Sequence, residues 1–187
     1  DWPEQQLESF KSMAGDANVF ISDYSVKRWN MNCPTTVIHH SVDSKMFTPT
    51  DTEKTVDVLS VVNEFPERDY CCNYGGWQRV VSKFQAEEKI VDVIGNGNEA
   101  ISNIRGGVAD GIEDLVSRYN GCKVFLNTST ISPVPTSLLE AMSCGCAVVS
   151  TATCMIPEII ENGVNGFISN DEEELKSYID NLLNDEE

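Results

Sequence analysis

The residues most suited to chemistry lie in Asn127-Thr-Ser-Thr-Ile-Ser-Pro-Val-Pro-Thr-Ser-Leu-Leu-Glu140, which follows an apolar run and opens a helical one. Pro135 fits the first turn of a helix, where a missing N–H costs nothing. The N–H groups of Thr136, Ser137 and Leu138 would then stand unpaired at the positive end of the helix dipole, an arrangement that suits a diphosphate. Ser137-Leu-Leu-Glu140 reads equally as a capping box, with Glu140 tied to its own backbone. Spacing alone does not separate the two. Asn63-Glu-Phe-Pro-Glu-Arg68 places one cation, Arg68, after another apolar run. Gly95-Asn-Gly-Asn98 either lets backbone pass close to a ligand or makes a tight turn.

Other chemistries are poorly supported. Seven cysteines, Cys33, Cys71, Cys72, Cys122, Cys144, Cys146 and Cys154, include no CxxC pair, which speaks against a zinc ribbon or a thioredoxin site. Several sit in apolar segments, as buried reduced thiols do, so a reducing compartment is expected. His39 and His40 are the only histidines and have no Cys or acid at ligand spacing, so no metal site is expected.

The elements that must position these loops follow from the apolar pattern. Strands are expected at 19–22, 35–39, 56–62, 89–94, 122–126, 147–150 and 166–168. Helices are expected at 24–30, 76–87, 112–119, 136–143, 157–161 and 172–183, and 41–52 reads as an extended, Pro-containing linker. Strand–helix alternation with nearly continuous apolar strands implies a parallel sheet covered on both faces, a doubly wound α/β fold. In such sheets ligands bind beyond the carboxyl ends of the strands, where the three loops lie.

Size and charge bound the rest. A chain of 187 residues allows one full α/β domain with a fragment of a second, at about 150 residues per domain. At 41% hydrophobic and 23% charged residues it has the composition of an ordinary globular protein. Thirteen basic against thirty acidic residues leave a net charge of −17, which repels nucleic-acid phosphates and anionic lipid. Seven of the acids lie in 171–174 and 185–187 and read as a solvated helix flank. With no apolar run near eighteen residues and no signal peptide, a cytoplasmic chain without a transmembrane segment is expected. A start at Asp1 rather than Met suggests a piece of a longer protein.

The segment Pro135-Thr-Ser-Leu-Leu-Glu-Ala-Met-Ser-Cys-Gly-Cys-Ala-Val-Val-Ser-Thr151 resembles the LLEAMxxGxPVV signature of group 1 (family 4) retaining glycosyltransferases of the GT-B fold. Ile156-Pro-Glu-Ile-Ile-Glu-Asn-Gly-Val-Asn-Gly-Phe167 is similar to that family's IPEIIxxGxNG stretch. Val37-Ile-His-His-Ser-Val-Asp43, with Phe47 and Pro49, resembles its interdomain link. Together these cover nearly the whole chain in the family's order. The resemblance implies a Rossmann-like architecture in which residues 1–48 are the remnant of an N-terminal acceptor domain and the link, and residues 49–187 are the C-terminal nucleotide-sugar donor domain. It also implies glycosyl transfer with retention at the anomeric carbon, as in glycan biosynthesis. The donor would be a UDP- or GDP-sugar and the acceptor a glycan, lipid or protein. No cofactor or metal is implied, in keeping with the absence of a DxD motif.

Carried over residue by residue, the resemblance puts Glu140 on the second glutamate of an E-x7-E motif, where a carboxylate accepts from both ribose hydroxyls. It puts Thr136, Ser137 and Leu138 on the positions whose backbone meets the diphosphate, and Arg68 on a phosphate-binding lysine. Arg68 and Glu140 are the implied catalytic residues. Gly95, Gly97, Ser132, Thr136, Ser137, Leu138 and Glu140 are the candidate donor-binding ones, with base recognition expected near Gly95 and Gly106-Gly-Val108. Two positions depart from the pattern: Ser132 stands where the first glutamate falls and Asn63 where an arginine does. Some branches of the family tolerate the loss of that glutamate. His39 and His40 do not match the acceptor-side histidine.

Other function classes compete. A non-catalytic nucleotide-binding or interaction module of the same fold accounts for Ser132 and the missing acceptor domain. A Rossmann oxidoreductase is disfavoured, because Asn63-Glu-Phe-Pro stands where G-x-G-x-x-G would follow the first strand of the main sheet. A nucleic-acid-modifying transferase would have to overcome the charge locally.

Overall fold

The computed structural model describes residues 4–132 and 134–184, with side chains from residue 8 onward. Pro133 and the acidic end at 185–187 lie outside the described residues.

The chain begins with α1 (Glu4–Lys11), β1 (Asn18–Phe20), α2 (Asp23–Trp29) and β2 (Thr35–Val37). Strands β1 and β2 pair in parallel, Val19 opposite Thr36, around the α2 crossover. Ser22 caps α2 by accepting from the Ser25 N–H. Helix α1 was not expected from the sequence, and its Phe10 ring lies 5.2 Å from the Trp29 ring.

The main body follows as β3 (Val56–Val61), α3 (Asp69–Cys72), α4 (Tyr74–Ala86), β4 (Val91–Ile94), α5 (Gly111–Asn120) and β5 (Cys122–Asn127). After these come α6 (Thr136–Ser143), β6 (Ala147–Ser150), α7 (Ile156–Ile159), β7 (Phe167–Ile168) and α8 (Glu172–Asn184). The five strands form one sheet in the order β4-β3-β5-β6-β7, and every neighbouring pair is parallel. The doubly wound α/β architecture expected from the strand–helix rhythm is therefore the observed one. Short helix α3 falls within the expected 63–75 loop. Element ends elsewhere move by a few residues.

Two cores cover the two faces. Val58, Val124, Leu126 and Val149 join Trp77, Val80, Val81 and Phe84 of α4 and Leu175 and Ile179 of α8 on one side. Leu59, Phe125 and Val148 join Tyr119 of α5, Leu138 and Ala141 of α6 and Ile156 of α7 on the other. Burial on both faces explains why the strands read as continuous rather than alternating apolar runs. The polar exceptions are satisfied: the Ser60 hydroxyl donates to the Leu126 carbonyl at 2.7 Å and accepts from the Trp77 indole at 3.1 Å.

The segment read as a linker turns at 44–46 and enters the second core. Phe47 is buried, with its ring 6.2 Å from Tyr119 and edge-on to it. Ser143 donates to the Phe47 carbonyl and Asn120 to that of Thr48. The acids at 171–174 form the start of α8. Asp171 accepts from the Glu173 and Glu174 N–H groups, and Glu172 forms a two-pronged contact with Arg79. The negative charges sit at the helix end whose dipole favours them.

Asp57 of β3 and Asp92 of β4 are the buried acids of the strands, and Asp57 is the one paired with a cation. Its carboxylate meets Lys123 at 2.7 Å and accepts from the Ile90 N–H at 2.8 Å. Burial pushes this carboxyl up, but the Lys123 and Ile90 hydrogen bonds outweigh it and hold the group below the usual carboxylate range. A depressed folded-state value means the contribution is fully present above about pH 4 and is lost as pH falls through the lowered value. Asp57→Asn is expected to destabilise the fold by about 1–2 kcal/mol at pH 7. The difference from the parent should shrink in urea unfolding at progressively acid pH.

Candidate functional site

The sheet order reverses between β3 and β5, and ligands of doubly wound sheets bind at that switch point, beyond the strand ends. A cleft of about 310 Å³ lies there. It is lined by Asn63 and Arg68 from the loop after β3, Cys72 of α3, and Asn127 and Ser129 at the end of β5. Ser132, Thr136, Ser137 and Glu140 complete it around the start of α6. Five of the residues singled out from the sequence, Arg68, Ser132, Thr136, Ser137 and Glu140, thus come together from two separate stretches of chain.

The start of α6 differs in detail from expectation. Pro135 is the N-cap, with extended backbone (φ −68, ψ 108), rather than the first helical residue, and no side chain caps this end. The capping box therefore does not form. The Leu138 N–H donates to the Pro135 carbonyl at 3.1 Å, and its side chain is fully buried in the second core. Leu138 is consequently not one of the unpaired donors, because a first turn closing at i−3 uses its N–H internally. The helix N-terminus is presented to the cleft through Thr136 and Ser137.

Glu140 is held from behind. The Tyr119 hydroxyl donates to its Oε2 at 2.7 Å, and no donor bonds Oε1 among the described residues. Burial, reinforced by the Glu140 carboxylate, pushes the Tyr119 hydroxyl far above the ordinary phenol range, so it stays a donor. Phe47 and Phe125 flank the Tyr119 ring. Packing thereby fixes the carboxylate that spacing alone had left ambiguous. Arg68 is exposed and makes no salt bridge among the described residues; its side chain bonds the Cys71 thiol, so no carboxylate competes with an anion for its guanidinium.

The floor of the cleft is a buried polar network that the sequence did not reveal. Asn127 donates to Ser150 at 2.8 Å and accepts from the Ser129 hydroxyl at 2.9 Å. Thr151 and Thr153 both donate to the Ser129 carbonyl. The Thr128 hydroxyl donates to the Cys72 carbonyl, and the Thr130 and Ile131 N–H groups to that of Cys71. The available signal was a polar run, 127–130, directly after the apolar run 124–126, which must find internal partners.

Gly95 and Gly97 lie outside this cleft. A Cβ at Gly95 would stand 2.2 Å from the Val62 carbonyl oxygen, and its φ is +145. Asn98 donates to the Val62 carbonyl and accepts from the Phe65 N–H, and Asn63 accepts from the Asn96 N–H. These contacts clamp the 95–98 turn to the 62–65 segment, so close backbone packing accounts for the glycine. Gly95→Ala is expected to cost at least about 2 kcal/mol, through backbone strain and overlap. Thermal unfolding would read that loss. His39 and His40 are exposed beyond β2, and no group of three or more metal-ligating side chains occurs among the described residues.

Residues 107–187 match the family model of glycosyl transferases, group 1. The resemblance carried by residues 135–167 is thereby borne out. No curated protein sequence matches the chain. Among solved structures, sucrose-phosphate synthase from Thermosynechococcus elongatus superposes with a TM-score of 0.79 at 18% identity, over 98% of this chain and 53% of that one. Anabaena HepE in complex with UDP-glucose gives 0.74 at 16% identity, over 96% and 58%. The pneumococcal O-GlcNAc transferase GtfA in complex with UDP and GlcNAc gives 0.68 at 16% identity, over 96% and 40%. The chain thus shares the fold of these proteins and spans about half the length of the first two.

Proposed function

We propose that residues 49–187 form the nucleotide-sugar donor domain of a retaining glycosyltransferase, with residues 1–48 the end of an acceptor domain and its link. The observation that carries this reading is the cleft itself. A cation, a helix N-terminus and a positioned carboxylate meet at the switch point of a parallel sheet, within reach of one nucleoside diphosphate. Glu140 accepts from the ribose hydroxyls, while the α6 N-terminus and Arg68 receive the diphosphate. As the glycosidic bond breaks, charge grows on the departing diphosphate, and donors already aimed at it stabilise that charge without reorganisation. No metal is required for this. Two fold relatives, solved with UDP-glucose and with UDP, support UDP as the first candidate nucleotide, with GDP the alternative. The base would be met near Gly95–Asn98 and 106–108, and the acceptor would be a glycan, lipid or protein. Among the described residues no helix is long and apolar enough to cross a membrane, which is compatible with a cytoplasmic enzyme.

Calorimetric titration of the chain with UDP, GDP and ADP tests the reading. One of the three is expected to bind, and binding of none at millimolar concentration counts against a preformed donor site. A second reading, a non-catalytic nucleotide-binding module, draws on Ser132, which lines the cleft where a carboxylate would otherwise face the transferred sugar. A longer protein carrying residues 1–187 and an acceptor domain that binds the nucleotide but transfers no sugar, and gains transfer through Ser132→Glu, would favour it.

A further inference from the structure

Cys71 and Cys72 serve no role in the proposed reaction, yet they sit at the edge of its cleft. Their Sγ atoms are 3.6 Å apart and both thiols are free. Each residue is about nineteen-twentieths buried, at 5% and 6% exposure, and Cys72 lines the cleft beside Arg68 and Ser129. Two sulfurs in contact, one of them belonging to a residue of the cleft wall, make a chelating pair of soft donors. We propose that Cys71 and Cys72 form a two-thiol site for a trivalent arsenical, arsenous acid or an aryl derivative of it.

The chemistry selects this class of ligand over its rivals. No group of three metal-ligating side chains surrounds the pair among the described residues, so the four-ligand shell of a structural zinc is not available. A linear two-coordinate ion such as mercury(II) or silver(I) needs its sulfurs well apart, whereas pyramidal arsenic(III) bridges sulfurs that nearly touch and takes its third ligand from the arsenical itself. Burial, then the neighbouring Cys71 thiol, pushes the Cys72 thiol up to about 11. Cys72 is therefore protonated at neutral pH and slow toward alkylators, which consume thiolate. Condensation with an arsonous acid begins from the thiols. Two As–S bonds form, two As–OH bonds break, and each departing hydroxyl leaves as water with one thiol proton. Arsenic stays trivalent, and no oxidant enters.

One other cysteine pair is comparably close, Cys122 and Cys146 at 3.7 Å. Cys122 is wholly buried at the start of β5, and neither residue lines the cleft. This rival site is the internal control. The chain would be incubated with phenylarsine oxide, without nucleotide, and bound arsenic counted by native mass spectrometry. One equivalent is expected. Cys71→Ser and Cys72→Ser should each weaken capture at least tenfold, whereas Cys122→Ser should leave it unchanged. Capture that persists in Cys72→Ser, capture lost in Cys122→Ser, or no capture at all would overturn the assignment. Should the serine variants fail to fold, the parent chain still decides. Bound arsenical must shield Cys71 and Cys72, and not Cys122 and Cys146, from maleimide after denaturation, read by peptide mass.

Discussion

Glu140→Ala should weaken binding of the preferred nucleoside diphosphate about thirty- to a hundred-and-fiftyfold, since a charged acceptor serving two ribose hydroxyls contributes about 2–3 kcal/mol. The same change should also lower stability. Tyr119 is wholly buried, and its hydroxyl donates to Glu140 Oε2. Removing the carboxylate leaves that hydroxyl without its partner, at a cost of about 1–3 kcal/mol. Glu140→Gln separates the two effects: its amide oxygen can still accept from Tyr119, so stability should largely return, while the uncharged side chain holds the ribose less well. Calorimetry of the three proteins with the diphosphate and its 2′-deoxy analogue checks this. The parent should discriminate against the deoxy form, and Glu140→Ala should not. If the alanine variant loses stability but keeps full affinity and discrimination, Glu140 is a core partner of Tyr119 and the ribose assignment fails.

Arg68→Ala should reduce diphosphate affinity about ten- to a hundredfold, the range for a charge-assisted hydrogen bond to phosphate. It should leave binding of the corresponding nucleoside unchanged. Arg68 is exposed and makes no salt bridge among the described residues, so unfolding should be unaltered, in contrast to Glu140→Ala. Raising the salt should weaken diphosphate binding by the parent more than by the variant, because the lost interaction is between charges near solvent. Equal weakening of nucleoside and diphosphate would place Arg68 away from the phosphates. The pairing of the two substitutions matters: one should remove ribose discrimination and the other phosphate affinity, which defines the direction in which the ligand lies.

How much of this was legible can be judged element by element. Strands β3 to β6 were visible because burial on both faces leaves a nearly continuous apolar run, a signal local to each segment. The short α3 was not, because Asp69-Tyr-Cys-Cys72 has no periodicity to read over four residues; Asn73, in the left-handed region and capping α4 through the Gly76 N–H, ends it. Helix α1 was missed because its amphipathic face is completed by α2, through Phe10 and Trp29. Gly95 was visible as a glycine, but whether a ligand or a neighbouring loop required it depended on where Val62 lay.

The sequence by itself determined the parallel α/β class and the loops that stand at strand ends, because hydrophobic periodicity and strand–helix alternation are properties of consecutive residues. Through the resemblance of its motifs to a known family, it also singled out Arg68, Ser132, Thr136, Ser137 and Glu140 as the residues to watch. Tertiary structure alone decided that these five share one cleft, since the order β4-β3-β5 is a matter of which strands pair and not of which come next. It also excluded the capping-box reading of Ser137-Leu-Leu-Glu140, since no side chain caps this helix end. Tyr119, twenty-one residues before Glu140 in the chain, reaches its carboxylate, and the second core fixes both. A side chain free to choose between its own backbone and a distant hydroxyl follows packing, which no local pattern encodes.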